Sequence, residues 1–483
     1  MTVNPNPKKS RPYDEPPKRR RSLIPSGPDS AATGFLVGAI VWLAAALGIG
    51  ALAIGLRIVP FEFSWPIGIF DLALGFDQRR VDAAFASATA YGFLGNAGLA
   101  AITFMVPRLV GRPLAGGWLV SFAVAIWNLS LAGGIGALYV FDLGPNAPLT
   151  AMHWLFMGGL ATGALVVTGS FLATVGTSAT SAYISIWFAG VALLGLLGLT
   201  GLAATVGLVD VFFEVPELAV ALVSVFVERA VVTVWLLGMA YAVLHYVVPR
   251  ATGQPLASNG LAILTWLTWL ALAPASALAA LVDPAIPYAV TTIGGVATML
   301  LLVPASLAAV NLVQTMQGRS SLLFGVGPAA FAAVALTFLL AAALLEAIGA
   351  LRTVDSLVTR TEWERGVFVW AAYGAFGLAA LGFLEHALPR LLRRDWGGGL
   401  LSGAQLWCMF GGIALGGLAL MGAGLAEGSF RVQGGPPETV TAGLAPYLAL
   451  GFAGIGLAVA RAMAAEGANV VLAARRGDLA EAE

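Results

Sequence analysis

Residues 361–388 read TEWERGVFVWAAYGAFGLAALGFLEHAL. The stretch opens on Glu362, Glu364 and Arg365 and turns at Gly366 into uninterrupted apolar sequence. At 1.5 Å of rise per residue, an apolar helix of about 20 residues crosses the ~30 Å of bilayer hydrocarbon. Runs of this kind recur along the 483 residues with polar punctuation between them. They number twelve, at 35–57, 84–107, 117–141, 149–175, 181–208, 217–248, 257–281, 288–315, 322–350, 366–388, 400–424 and 440–462.

Composition agrees. The chain is 59% hydrophobic and 10% charged, with a mean hydropathy of +0.88, whereas soluble domains carry about 25% charged residues. A single water-soluble core cannot absorb that excess. Sixty glycines suit helices packed closely in lipid, where small residues let backbones approach. The expected fold is all-α, a polytopic membrane bundle of twelve helices over 34–463. A disordered basic tail is expected over 1–33 and a second tail over 464–483.

Basic residues set the expected orientation. Lys8, Lys9, Arg11, Lys18, Arg19, Arg20 and Arg21 lie among prolines and serines, and loops on the same side by parity carry Arg108, Arg112, Arg250, Arg319, Arg390, Arg393 and Arg394. The opposite loops carry Asp142, Asp210, Glu214, Glu217 and Asp283. Positive charge stays inside, which places both termini in the cytoplasm of a bacterial inner membrane. The first apolar segment lies too far from Met1 for a cleaved signal peptide. One cysteine, Cys408, excludes a disulfide framework or an iron-sulfur cluster.

The stretch Thr353–Leu391 contains TVDSL, Thr361-Glu362-Trp363, Gly366 and Leu388-Pro389-Arg390 in order. In that order it resembles, without a gap, the tenth helix of subunit I of the C-type (cbb3-type) haem-copper oxidases. A second block, Tyr246-Val247-Val248-Pro249-Arg250, then GQPL and Val303-Pro304-Ala305-Ser306, is similar to that family's exit from helix six through helix eight. Arg79-Arg80 followed by Ala86, Ala90, Tyr91 and Gly92 resembles the lead-in to helix two, and Tyr183-Ile184 with Trp187-Phe188 the start of helix five.

The resemblance implies two haems and one copper, and assigns their ligands to positions of this sequence. The haem histidines fall on Ala83, Val367 and Val369, and the copper histidines on Ala279, Ala280 and Arg229, or Glu228 with a one-residue shift. The cross-linked tyrosine falls on Ala273. Val and Ala have no lone pair, while haem iron and copper need strong donors. Only three histidines exist, His153, His245 and His386, half of what such a centre takes. His153 lies near the outer end of helix four. His245 and His386 precede the prolines at the cytoplasmic ends of helices six and ten, about 30 Å away, where they read as interfacial side chains. Met105, Met239, Met409 and Cys408 are the remaining donor types. No haem, copper or other metal is expected.

Charges inside lipid cost about 2.5 to 3.5 kcal/mol each at a helix centre and call for a partner or water. Glu228 and Arg229 fall in the outer half of helix six, and an ion pair of Arg229 with Glu228, Glu346 or Glu364 would fill space left by metals. The competing reading has both charges reaching outward to the surface.

Residues Gly451–Glu483 resemble the opening of a short-chain dehydrogenase. The glycine spacing departs from that family's turn and no strand precedes it, so no NAD site is expected. The function expected is a haem-free, redox-inactive homologue of oxidase subunit I, a structural or regulatory subunit of a respiratory complex. Its expected partners are membrane lipid and cytochrome c-type or other oxidase-like subunits, with no nucleic acid. Two alternatives stay open: a small-molecule or ion pathway through the vacated cofactor space, and an active oxidase or nitric oxide reductase as the family implies.

Overall fold

The computed structural model describes, in the main, residues 29–58, 62–66, 73–141, 146–176, 183–323, 327–392 and 399–434, with a few between 444 and 453. Eleven helices among them are long and apolar enough to cross a membrane. They are α1 (Ser30–Ile58), α2 (Gln78–Val110), α3 (Gly117–Ala137), α4 (Trp154–Val175), α5 (Ile184–Phe213), α6 (Glu217–Thr252), α7 (Asn259–Ala280), α8 (Tyr288–Met316), α9 (Pro328–Gly349), α10 (Glu362–Leu391) and α11 (Ser402–Val432).

The twelfth expected span, 440–462, lies mostly outside the described residues. Of those described, Leu444 packs on Ala423 of α11, and an added Cβ at Gly451 would meet Leu420. Both expected tails also lie outside the described residues, except that helix already begins at Ser30, four residues inside the tail's boundary of 33. One element was not expected: an antiparallel hairpin of β1 (Phe63–Pro66) and β2 (Ala73–Phe76), pairing Phe63 with Phe76 between α1 and α2.

Small residues set the helix spacing. Gly424 of α11 stands so close to α10 that a Cβ there would lie 2.1 Å from the Trp363 amide nitrogen. Gly98 of α2 accepts Trp235 of α6 and Phe376 of α10 against its face. Where lipid removes the hydrophobic drive between helices, such close packing supplies the attraction.

Three helices form the centre. In the most apolar window of α2 83% of residues are buried, and in that of α10 89%, so both are enclosed on every side. Together with α6 they share a second feature, a stretch of π-helix: Ala88–Gly95 in α2, Val231–Leu236 in α6 and Trp370–Gly377 in α10. Such stretches widen the backbone by one residue and cluster at functional sites. All three helices then end on a proline and an arginine in the last turn, Pro107-Arg108, Pro249-Arg250 and Pro389-Arg390.

Candidate functional site

The N-terminal halves of α2, α6 and α10 carry most of the positions singled out from sequence. The helix of Ala83 starts from a firm cap. Asp77 accepts hydrogen bonds from the Arg80 amide and from Arg80 Nε, both at 2.9 Å, and Arg80 Nη1 donates to the Leu138 and Phe141 carbonyls. Ala83 is buried in the main core. On α10, Thr361 caps the helix by accepting from the Trp363 amide.

Val367 and Val369 point to different surroundings. Val367 packs with Val358, Trp363 and Met421, whereas Val369 joins the main core. One turn further, the Tyr373 hydroxyl donates to Thr89 Oγ1 at 2.8 Å, bridging α10 directly to α2. The π stretches of these two helices have Cα atoms within 8 Å of each other. Helices this close are in direct side-chain contact at this level.

Ala273, Ala279 and Ala280 lie on α7 and the tight turn that ends it. Ala273 is buried, and its carbonyl accepts from Thr233 Oγ1 of α6 at 3.0 Å. Trp269 Nε1 returns a bond to the Thr233 carbonyl, also at 3.0 Å. The Arg229 end of α6 packs on the turn holding Ala279 and Ala280, and α8 presses so near that a Cβ at Gly294 would lie 2.1 Å from the Ala279 nitrogen. The structure therefore sets the helix segment that carries Arg229 beside the turn that carries Ala279 and Ala280, the other two positions given to copper.

That guanidinium is engaged. Arg229 Nη2 makes an ion pair and a short hydrogen bond with Glu346 Oε2 of α9. Of the acids weighed from sequence, Glu346 is the one bonded. α9 delivers its carboxylate across the gap before the arginine would have to climb to water. Glu364 stands within electrostatic range of the pair. Glu228 faces Arg365 and Glu364, with the Tyr91 hydroxyl nearby. The bundle thus holds an ionic cluster drawn from α6, α9 and α10.

The histidines lie elsewhere. His245 is fully buried, stacked on Phe188 with ring centroids 5.2 Å apart, and its Nδ1 is 2.8 Å from the Tyr241 carbonyl. His386 is buried edge-on to Tyr246, centroids 5.7 Å apart. The expectation of interfacial side chains is corrected for both: α6 and α10 stay enclosed by neighbouring helices down to their prolines. His153 caps α4 and stacks on Phe141 at 4.8 Å. It lines a cavity of about 230 Å³ with Asp210, Asn146 and Ser224, and burial pushes its imidazole below the ordinary range. Met105, Met239 and Met409 are core side chains, while Cys408 is half-buried. Among the described residues no three of His, Cys, Asp or Glu are grouped as a metal would require.

The donor set does not fit two haems and a copper at the positions the resemblance assigns. Ala83, Val367, Val369, Ala279 and Ala280 end in methyl groups without a lone pair, and Arg229 is committed to Glu346. What the sequence missed is the set of π stretches. They shift hydrogen bonds by one residue and leave composition and apolar run length unchanged, so they left no trace to read.

Residues 30–456 match the family model of cytochrome c and quinol oxidase polypeptide I. The fold is similar to that of a heme-copper terminal oxidase dimer solved by cryo-electron microscopy, with a TM-score of 0.72 over 92% of this chain and 84% of that one. Sequence identity is 15%, so this likeness speaks to fold alone. No curated protein matches the chain.

Proposed function

The chain belongs to the cytochrome c and quinol oxidase polypeptide I family, and from that premise we propose that it serves as a haem-free, redox-inactive subunit that scaffolds or regulates a respiratory membrane complex. The observation that carries the reading is chemical substitution at the centre. The places where the family would hold iron and copper carry buried Ala83, Val367 and Val369 and half-buried Ala279 and Ala280, and the one polar replacement, Arg229, is bonded to Glu346. Hydrocarbon and an internal ion pair preserve the bundle's shape while offering metals nothing to bind.

The proposal includes the cbb3-like ancestry, a bacterial inner-membrane location with the basic tail inside, and partners that carry the cytochromes. An absorption spectrum of the purified protein tests it first: no Soret band is expected, with or without haem supplied during expression. A stoichiometric Soret band would overturn the reading. Affinity purification from native membranes tests the second half, with cytochrome-bearing subunits expected to co-purify.

One observation favours a second reading, a pathway for a small molecule or ion. Arg229 and Glu346 keep 24% and 26% of their side-chain surfaces exposed although both lie within spans, which leaves polar groups open at the outer end of the axis, as intramembrane charges are in transporters. Solute flux in proteoliposomes that is lost in the Glu346→Gln variant would select this alternative.

A further inference from the structure

Three helices leave the bundle through the same pattern. Val106-Pro107-Arg108 ends α2, Val248-Pro249-Arg250 ends α6 and Leu388-Pro389-Arg390 ends α10. Each proline follows the π stretch of its helix by twelve or thirteen residues. Equal spacing brings the three arginines to one level on one face, at the end opposite the Arg229–Glu346 pair.

They also converge laterally. The Arg250 guanidinium lies 5.5 Å from the centre of the Tyr246 ring, which meets His386 edge-on, and Arg390 Nη1 donates to the His386 carbonyl. All three arginines act electrostatically on both Tyr246 and His386. Their charges are not balanced alike. Arg108 holds Asp29 in a bidentate pair, 2.9 Å on each arm, and lies 3.6 Å from the centre of the Phe104 ring. Among the described residues neither Arg250 nor Arg390 meets a carboxylate. Glu385, next to His386, is taken by Ser402.

Helix carboxyl ends offset part of this charge, but they accept few of the donors: Arg390 uses one and Arg250 none. Two exposed guanidinium forks, one beside the Tyr246 ring and the other bonded to the carbonyl of the His386 that meets this ring, offer the paired donors that phosphate oxygens accept. We propose that Arg250 and Arg390 form a binding site for a phosphate-type anion on the arginine-rich face, supplied either as a phospholipid headgroup or as free phosphate. Arg108, neutralised by Asp29, shapes the site.

The test uses the full chain and the variants Arg250→Gln, Arg390→Gln and, as a control elsewhere on the same face, the exposed Arg319→Gln. Native mass spectrometry from nanodiscs of mixed phosphatidylglycerol and phosphatidylcholine reads retained anionic lipid. Each of the first two variants should retain about five-fold less than wild type, the loss that one basic group near a charged surface brings, and Arg319→Gln should match wild type. In lipid-free micelles, inorganic phosphate should raise the melting temperature of wild type but not of Arg250→Gln if the ligand is free phosphate. Unchanged melting temperatures without phosphate show that the variants fold. Equal lipid retention in all four proteins with no phosphate-dependent shift overturns the proposal, as does a loss in Arg319→Gln equal to the other two.

Discussion

Replacing Glu346 by glutamine strands Arg229, and the cost can be bracketed from the pair's surroundings. Removing one partner of a fully buried ion pair costs about 3–5 kcal/mol, while exposed pairs contribute about 0–1 kcal/mol. With roughly a quarter of each side chain exposed, this pair lies between those limits. Arg229 Nε already lacks a hydrogen-bond partner, which raises the cost, and Glu364 lies within range to recover part of it. The expected loss for Glu346→Gln is about 2 kcal/mol, on the order of a 30-fold shift toward the unfolded state. The reverse variant should be milder. Arginine keeps its charge in any protein environment, whereas a carboxyl that has lost its partner can take up a proton, so Arg229→Met should cost about 1 kcal/mol. The apolar double variant Arg229→Met/Glu346→Leu should fall no lower than Glu346→Gln, since neither charge is left stranded. Unfolding in mixed detergent micelles, read as a double-mutant cycle, checks the series. A Glu346→Gln variant as stable as wild type, or an Arg229→Met variant less stable than Glu346→Gln, would refute the claim that this pair is enclosed and coupled.

Gly424→Ala should destabilise by about 1–3 kcal/mol, because its Cβ would meet the backbone of Trp363 at 2.1 Å; Gly411→Ala, with open space around it, should leave thermal unfolding unchanged. Asp77→Ala should cost about 1 kcal/mol through loss of the α2 cap, seen as a lower melting temperature and as faster exchange of the Arg80 amide that the Asp77 side chain caps. His153 gives a pH signature. Its folded pKa lies below the ordinary value, so the unfolded chain binds more protons near and below about pH 6.5, and stability is full above that pH and falls as pH drops through it. A His153→Asn variant should therefore lose less stability than wild type between about pH 7 and about pH 5; equal slopes in the two proteins would remove His153 as the cause.

The membrane bundle was legible because it depends on the length of apolar runs and on little else. Errors came at helix ends. α5 continues to Phe213 and α11 to Val432, past the ends at 208 and 424, because a helix does not stop where hydrocarbon stops. The exits at Pro249 and Pro389 were readable as punctuation, and Arg229 as a charge in need of a partner. Which acid would answer it was not readable, since Glu346 lies 117 residues away on another helix. His245 and His386 were misread for a related reason: distance along the chain from a helix end says nothing about which neighbours cover that end.

The residue types alone determined that this chain crosses a bilayer repeatedly, and that the alanines and valines at the positions of the resemblance carry no lone pair. Hydrocarbon length and lone pairs belong to residues one at a time, so a sequence carries them in full. Only the tertiary structure decided that Glu346 completes Arg229, that α2 and α10 touch through Tyr373 and Thr89, and that three separated arginines act on the same pair of rings, Tyr246 and His386. Those are relations between distant residues, set by how helices wind and pack around a common axis.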